Sequence, residues 1–352
     1  MLKNFYKNKK ILITGHTGFK GTWLTNCLTI LGAKVYGISK NDENKKNFYK
    51  MCETKNIKSY FFDILNKKRL STTIKKIEPD IIFHLAAQSI VRKSYKFPEN
   101  TFETNFNGTL NLLSVSIKLK NLKSLIIVTS DKCYQNLNKK KFFIETDALG
   151  GDDPYSASKG ASEILFNSFL KSYLINKKIG AASVRAGNVL GGGDWSVDRI
   201  LPDYIKSIKY SKKFIIRNPN SSRPWQHVLD VINGYLILAM KLYKNREKYS
   251  GNWNFGPNYK KNVTVKKLIK IFSKFIEHKA KNIVFINKKT NQKESKFLNL
   301  DSSKARKYLY WNNRYDLTQI LRLTAEWYNE NMYKNQSNRI IKKQINNFFF
   351  NN

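Results

Sequence analysis

Between residues 10 and 193, short apolar runs alternate with stretches whose apolar residues recur at helical spacing, and no other feature of the chain narrows its fold as far. KILITG reads as a strand. GTWLTNCLTILGA then places Trp23, Leu24, Cys27, Leu28 and Leu31 along one side of a helix. KVYGIS and KSYFFDIL are further strands, KKRLSTTIKKI is a charged helix broken by Glu78-Pro79-Asp80, and DIIFHLAA is a fourth strand. The helix ETNFNGTLNLLSVSIKLK, a strand around 126–128, the long helix PYSASKGASEILFNSFLKSYLI and a strand in GAASVRAGNVLGGG complete the series. Strands joined by helices imply right-handed crossovers and a parallel sheet covered on both faces. Such sheets take their ligands at the carboxyl ends of the strands. The expected class is α/β, with a doubly wound parallel sheet.

Residues 1–190 are expected to form this unit, with a later segment, about 225–257, returning to it. Beyond residue 190 the pattern is less regular. RILPDYIKSIKY and HVLDVINGYLILAMKLY read as helices, and KFIIR and NIVFIN as short strands. Residues 191–330 are expected to make a smaller, discontinuous, interleaved α/β domain for the substrate. Residues 331–352, polar and then aromatic, read as a loose C-terminal extension.

ILITGHTGFKGTWL runs from strand through Gly15, Gly18 and Gly21 into helix. A pyrophosphate asks for this arrangement. One glycine permits the tight turn, another lets the backbone approach the phosphates, a third lets helix and strand pack closely, and the helix N-terminus offers N–H groups. The spacing is G-x-x-G-x-x-G, and no Lys-Ser/Thr follows the last glycine as it would in a P-loop. The loop points to a Rossmann-type fold that binds a dinucleotide, with Gly15, Gly18, Phe19, Lys20 and Gly21 around the phosphates; a structural turn is the alternative. His16 within it serves loop geometry or a phosphate contact. Asp63, with Ile64 after it, is expected at the adenine end unless it is a plain helix cap. Ala86 and Ala87 end the fourth strand, where small side chains leave room for a flat cofactor or for a closely packed helix. NAD would call for an acid at the end of the second strand. Ser39, Lys40, Asn41 and Asp42 stand there, and Lys40 could suit a 2′-phosphate, so this stretch leaves NAD and NADP open.

The formal charge of +39 invites a nucleic-acid reading. The lysines, however, are spread along the chain in company with Asn, Ile, Phe and Tyr, the residues of A/T-rich codons, whereas a binding footprint would cluster. No specific nucleic-acid partner is expected. Cys27, Cys52 and Cys133 show no metal-ligand spacing, which argues against a zinc site and fits a reducing compartment. No apolar run approaches membrane-spanning length, and the N-terminus shows no apolar stretch of signal-peptide length. The expectation is a cytoplasmic protein with no metal and no membrane partner.

Two polar groups stand out. The strand at 126–128 ends in Ser130, Asp131 and Lys132, at the ligand-binding edge of the sheet. Tyr155 and Lys159 are four apart at the start of a helix, hence on one face. A phenol with a pKa of about 10 is a poor base at neutral pH, but an ammonium beside it stabilises the phenolate. Tyr155 could then take a proton from a substrate hydroxyl. His227 and Asp230, at the head of an amphipathic helix, are expected to be structural.

TGHTGFKGTWL, HLAAQSIVRKSY, TSDKCY, DALGGDDPYSASKGASE, RAGNVLGGGDW, DRILPD, SSRPWQHVLD and WNFGP together resemble the extended short-chain dehydrogenase/reductases, and among them the CDP-glucose 4,6-dehydratases. LDSSKARKYLYW extends the likeness to Trp311. Related dTDP-glucose dehydratases typically carry Thr-Asp-Glu where this chain has Ser130-Asp131-Lys132, and simple epimerases lack the acidic pair. The resemblance implies NAD-dependent oxidation of CDP-glucose at C4, loss of water across C5 and C6, and reduction at C6, in service of deoxysugar and surface-polysaccharide synthesis. It implies Tyr155 as first base with Ser130 and Lys159 beside it, and Asp131 as acid. Lys132 takes the place of the C5 base or acts by electrostatic stabilisation; a base would need its pKa lowered by burial or by neighbouring cations such as Lys159. Arg92, Asn188, Arg199 and Arg223 are implied for the nucleotide sugar, and a homodimer for the assembly. A dehydratase or 4-epimerase acting on another nucleotide-hexose is the alternative.

Overall fold

The computed structural model describes all residues except 41–47, 53–56, 138–140, 258–262, 287–296, 335 and 352. The strands β1 (Lys10–Thr14), β2 (Lys34–Ser39), β3 (Ile57–Phe61), β4 (Ile81–His84), β5 (Ser124–Val128), β6 (Gly180–Ala186) and β7 (Gly251–Phe255) form one sheet in the order β7-β6-β5-β4-β1-β2-β3. Every pairing in it is parallel. Its central strands are continuous apolar runs because both faces are covered. In β5, Ile126 and Val128 enter one core while Leu125 and Ile127 enter the other. Each such side chain stabilises the fold by about 1.5–3 kcal/mol on burial.

The principal helices of this unit are α1 (Phe19–Ile30), α2 (Lys67–Ile77), α3 (Gly108–Ser116), α4 (Pro154–Phe169) and α5 (Val228–Lys244). The expected helix KKRLSTTIKKI is α2 itself. Asn66 caps it by accepting from the Arg69 amide at 3.0 Å, Leu70, Ile74 and Ile77 form its buried stripe, and Glu78 closes it in a left-handed conformation before Pro79. α1 is buried nearly all round, since α5 and the sheet cover it together with a later helix described below. Strand order reverses across β1 and β4, so the chain leaves their carboxyl ends in opposite directions and a crevice opens there. The glycine loop follows β1, and the Ser130 turn follows β5.

Short strand pairs build the less regular part. Residues 214–216 pair with 283–285, and 222–223 with 263–264. Phe142–Phe143 pairs with Asn299–Leu300, so a segment of the first half is interleaved with the last third of the chain.

Two readings differ from the structure. GNWNF, unassigned as a strand, is β7 at the edge of the sheet. Its Asn252 and Asn254 side chains are held by hydrogen bonds to Glu163 and to the Phe143 carbonyl, so no apolar alternation marks the strand. The end of the chain is also not loose. After α6 (Leu317–Lys334), helix α7 (Ser337–Phe349) buries Ile340, Ile341, Ile345 and Phe348 in the same core as Trp23 and Leu24 of α1. A sparse apolar stripe among Asn and Lys suffices, because it meets an already apolar surface. Among the described residues, no helix is long and apolar enough to cross a membrane.

Candidate active site

The glycine loop is as tight as its spacing suggests. Gly15 takes φ +75°, and a Cβ there would stand 2.7 Å from the Ala86 nitrogen. A Cβ on Gly21 would lie 2.1 Å from the Gly15 carbonyl oxygen. Gly18 is different: its only close neighbour is that same oxygen, at 3.4 Å, so packing does not demand glycine there. A side chain at Gly18 would instead fill the space before the α1 N-terminus, where a phosphate would approach. These residues fit a dinucleotide.

His16 serves loop geometry. Its ring is buried between Ser39 and Ser59, with nitrogen–oxygen distances of 2.9 and 3.0 Å, and burial lowers its pKa to about 4. At the end of β2, Lys40 pairs with Asp63 at 2.6 Å, and Asp63 also accepts from the Leu65 amide at 3.0 Å. Asp63 is thus a local anchor just after β3, and Ile64 beside it is buried. Asn41 and Asp42 lie outside the described residues.

The polar end of β5 is a three-residue 3-10 turn, Asp131–Cys133, capped by Ser130. Ser130 Oγ accepts from the Lys132 amide at 3.2 Å and donates to Asp131 Oδ1 at 2.9 Å. It also lies near enough to the Tyr155 hydroxyl to draw the phenol's pKa down. Asp131 is 5% exposed, and burial drives its pKa up against the opposing charges of Lys132, Arg223 and Lys20. A carboxyl so placed is held toward its protonated, proton-donating form. Lys132 is half-buried beside it.

Tyr155 stands in the first turn of α4, where Asp153 caps the helix and Pro154 opens it. Its backbone N–H donates to Ser94 Oγ at 3.1 Å. Burial pushes the phenol up to about 12, and the Ser130 bond and the Arg199 charge pull it back. Lys159, one turn on, donates to the Val128 carbonyl at 3.3 Å. Burial lowers its pKa to about 8, helped by the ammonium of Lys20 and opposed by Glu163. Lys20 is lowered to about 8 in turn, by burial and by Arg199. The ammonium that crowds Lys159 is therefore that of the glycine loop, whereas the sequence reading set Lys159 beside Lys132.

Of the implied substrate residues, Arg199 and Arg223 bear on this centre through their charges on Tyr155 and Asp131. Arg92 is farther out, paired with Asp198 at 3.1 Å, and Asp198 also holds Arg217 at 3.3 Å. The Asn188 carbonyl accepts from the Gln226 amide at 3.1 Å, tying its loop to the strand after Arg223. Sequence reasoning missed Arg217, and it missed the buried pair Glu163 and Arg185. The signal was present: a carboxylate one turn beyond Lys159 and a guanidinium inside an apolar strand both need a partner.

A CDP-glucose 4,6-dehydratase of Salmonella typhimurium is 38% identical over 332 residues, covering 93% of this chain and 92% of the relative. Among solved structures, an epimerase of Methanothermobacter thermautotrophicus superposes with a TM-score of 0.83 at 23% identity, over 97% of this chain and 96% of its own. The dTDP-glucose 4,6-dehydratase of Bacillus anthracis, solved in complex with NAD, superposes with a TM-score of 0.75 at 22% identity, over 92% and 97%. At these identities the structural likeness is one of fold. A family model described as GDP-mannose 4,6 dehydratase matches residues 12–324, and the chain belongs to that family.

Proposed function

We propose that this chain dehydrates CDP-D-glucose to CDP-4-keto-6-deoxy-D-glucose, with NAD as a recycled cofactor. One observation carries the reading: the buried Asp131 carboxyl, held by Ser130, feels the charge of Lys132 and stands at the same centre as Tyr155. Epimerisation at C4 needs the tyrosine but no second acid–base pair. The 38% identity to a CDP-glucose 4,6-dehydratase supports the same substrate.

Gly15, Gly18, Phe19, Lys20 and Gly21 would hold the cofactor's phosphates, Asp63 and Ile64 its adenine end, and Ala86 and Ala87 would flank it. NAD, when bound, would supply the hydride acceptor for C4 and, once reduced, the hydride donor for C6. Tyr155 removes the proton of the 4-hydroxyl, with Ser130 sharing the hydrogen bond and Lys159 stabilising the phenolate. The resulting ketone acidifies C5. Lys132 takes the C5 proton while Asp131 protonates the departing 6-hydroxyl, so water leaves without a free hydroxide, and Lys132 returns the proton to C5 when C6 is reduced. Arg199, Arg223 and Arg92 hold the diphosphate, with Asn188 lining the loop beside them. Exposed Phe97, Phe102, Ile164 and Tyr173 on and beside α4 support a homodimer. The buried free thiols of Cys27, Cys52 and Cys133 support the cytoplasm as its compartment.

The test is product identity. With NAD and each of CDP-, dTDP-, UDP- and GDP-glucose, the CDP sugar should yield a 4-keto-6-deoxy product, seen by its base-induced ultraviolet absorbance. Formation of CDP-galactose instead would sink the proposal.

A further inference from the structure

Glu163 follows Tyr155 and Lys159 at the same four-residue spacing, so α4 presents the three on one face. It is fully buried, and four donors converge on it. Thr129 Oγ1 donates to Oε1. Oε2 accepts from Ser183 Oγ at 2.7 Å, Arg185 Nη2 at 2.6 Å and Asn252 Nδ2 at 3.0 Å. Arg185, 1% exposed, turns its other nitrogen to the Tyr134 hydroxyl at 2.7 Å and the Glu145 carbonyl at 3.1 Å. Tyr134 in turn donates to Asn254 Oδ1 at 2.8 Å.

The placement of these partners is informative. Thr129 immediately precedes Ser130, and Tyr134 closes the turn that holds Asp131 and Lys132. One ion pair thus grips the catalytic turn at both ends and ties it to the helix that carries Tyr155 and Lys159. β6 supplies Ser183 and Arg185, and β7 supplies Asn252 and Asn254. A buried ion pair is a poor stabiliser compared with apolar side chains of the same volume. A buried network whose groups are paired is rigid, however, and here Glu163 takes four donors and both terminal nitrogens of Arg185 are paired, with only its Nε left without a partner. A reacting acid and base need that property, since a misplacement of about 1 Å can cost 10²-fold in rate.

We propose that Glu163, locked to Arg185, is a positioning residue that sets the turn at 130–132 against Tyr155 and Lys159. The inference rests on the dehydratase reading of that turn. Removing Glu163 outright would strand a buried guanidinium, so the test acts on the two grips instead. The full-length NAD-loaded enzyme is assayed with CDP-glucose as wild type, Thr129→Val, Thr129→Ser and Tyr134→Phe, with rates expressed per folded enzyme and Tm measured for each. Thr129→Val and Tyr134→Phe should each lower kcat by about tenfold or more while KM stays within about twofold, and Thr129→Ser, which keeps the hydroxyl, should restore kcat. The proposal is overturned if Thr129→Val and Tyr134→Phe keep wild-type kcat per folded enzyme, even with a lowered Tm, since that is the mark of a structural role alone. It is also overturned if Thr129→Ser is as slow as Thr129→Val. A wild type inert toward every nucleotide-hexose would overturn the dehydratase reading itself, an outcome visible before any variant is made.

Discussion

Replacing Asp131 by asparagine separates the two halves of the chemistry. Asparagine keeps the side chain's shape and its acceptor for Ser130 Oγ, 2.9 Å away, but has no acidic proton for a departing hydroxyl. A positioned general acid contributes about 10²–10⁴-fold, so Asp131→Asn should slow dehydration by that factor, about 3–5 kcal/mol in barrier. Oxidation at C4 draws on Tyr155, Ser130 and Lys159, all unchanged. Rapid mixing of the NAD-loaded variant with CDP-glucose should therefore give a burst of reduced-nicotinamide absorbance that decays slowly, with little 4-keto-6-deoxy product. Stability should move the other way. Burial raises the folded-state pKa of Asp131 above its ordinary 3.8, so the unfolded chain releases this proton first as pH rises. The charged carboxyl then disfavours the folded state at neutral pH. Asp131→Asn should melt no lower than wild type at pH 7. The assignment fails if the variant dehydrates at the wild-type rate, or if oxidation is lost along with dehydration.

Lys132→Ala should keep NAD and CDP-glucose binding by calorimetry yet lose turnover by about 10²-fold or more; near-wild-type dehydration would remove Lys132 as the base. Activity should fall as pH rises through about 8, where Lys159 loses the charge that supports the Tyr155 phenolate. The sign for stability is opposite. The folded pKa of Lys159 is depressed, so between about 8 and its ordinary 10.5 the unfolded chain holds the proton that the folded one has shed, and this group favours folding more as pH rises. A kcat/KM profile without an alkaline limb, or one that only tracks Tm, would refute the role. Gly21→Ala would bring a Cβ to 2.1 Å from the Gly15 carbonyl oxygen, which displaces the loop, so NAD affinity measured by fluorescence titration should fall by at least about tenfold. Unchanged affinity would mean that the loop does not hold the pyrophosphate.

Much of this architecture is legible in the sequence because parallel strands buried on both faces are unbroken apolar runs. Ile81, Ile82 and Phe83 announce β4 as plainly as Leu125, Ile126, Ile127 and Val128 announce β5. The glycine loop and the Tyr155–Lys159 pair are local patterns and survive into the structure unchanged. What stays hidden depends on contacts far apart in the chain. β7 carries asparagines whose partners are Glu163 and the carbonyls of Phe143 and Asp301, so its polarity reads as a loop until those partners are known. α7 looks unstructured among lysines and asparagines, and only the apolar flank of α1 gives its isoleucines a place. Lys20 reads as a phosphate ligand, but its effect on Asp131 and Lys159 follows from strand order, which sets the ends of β1 and β5 on either side of β4.

Ser130 has one hydroxyl proton and two lone pairs. In the structure the proton goes to Asp131 and one lone pair takes the Lys132 amide, which leaves the second lone pair for the nearby Tyr155 hydroxyl. Once Tyr155 has become a phenolate, it requires a donor, and the serine rotor has only the one it had given to Asp131. Turning it toward the phenolate leaves Asp131 facing a bare oxygen, which a protonated carboxyl can satisfy and a charged one cannot. The phenolate that the proposed oxidation needs at its start is thus the form that goes with a protonated Asp131, so base and acid would be set together before the cycle opens.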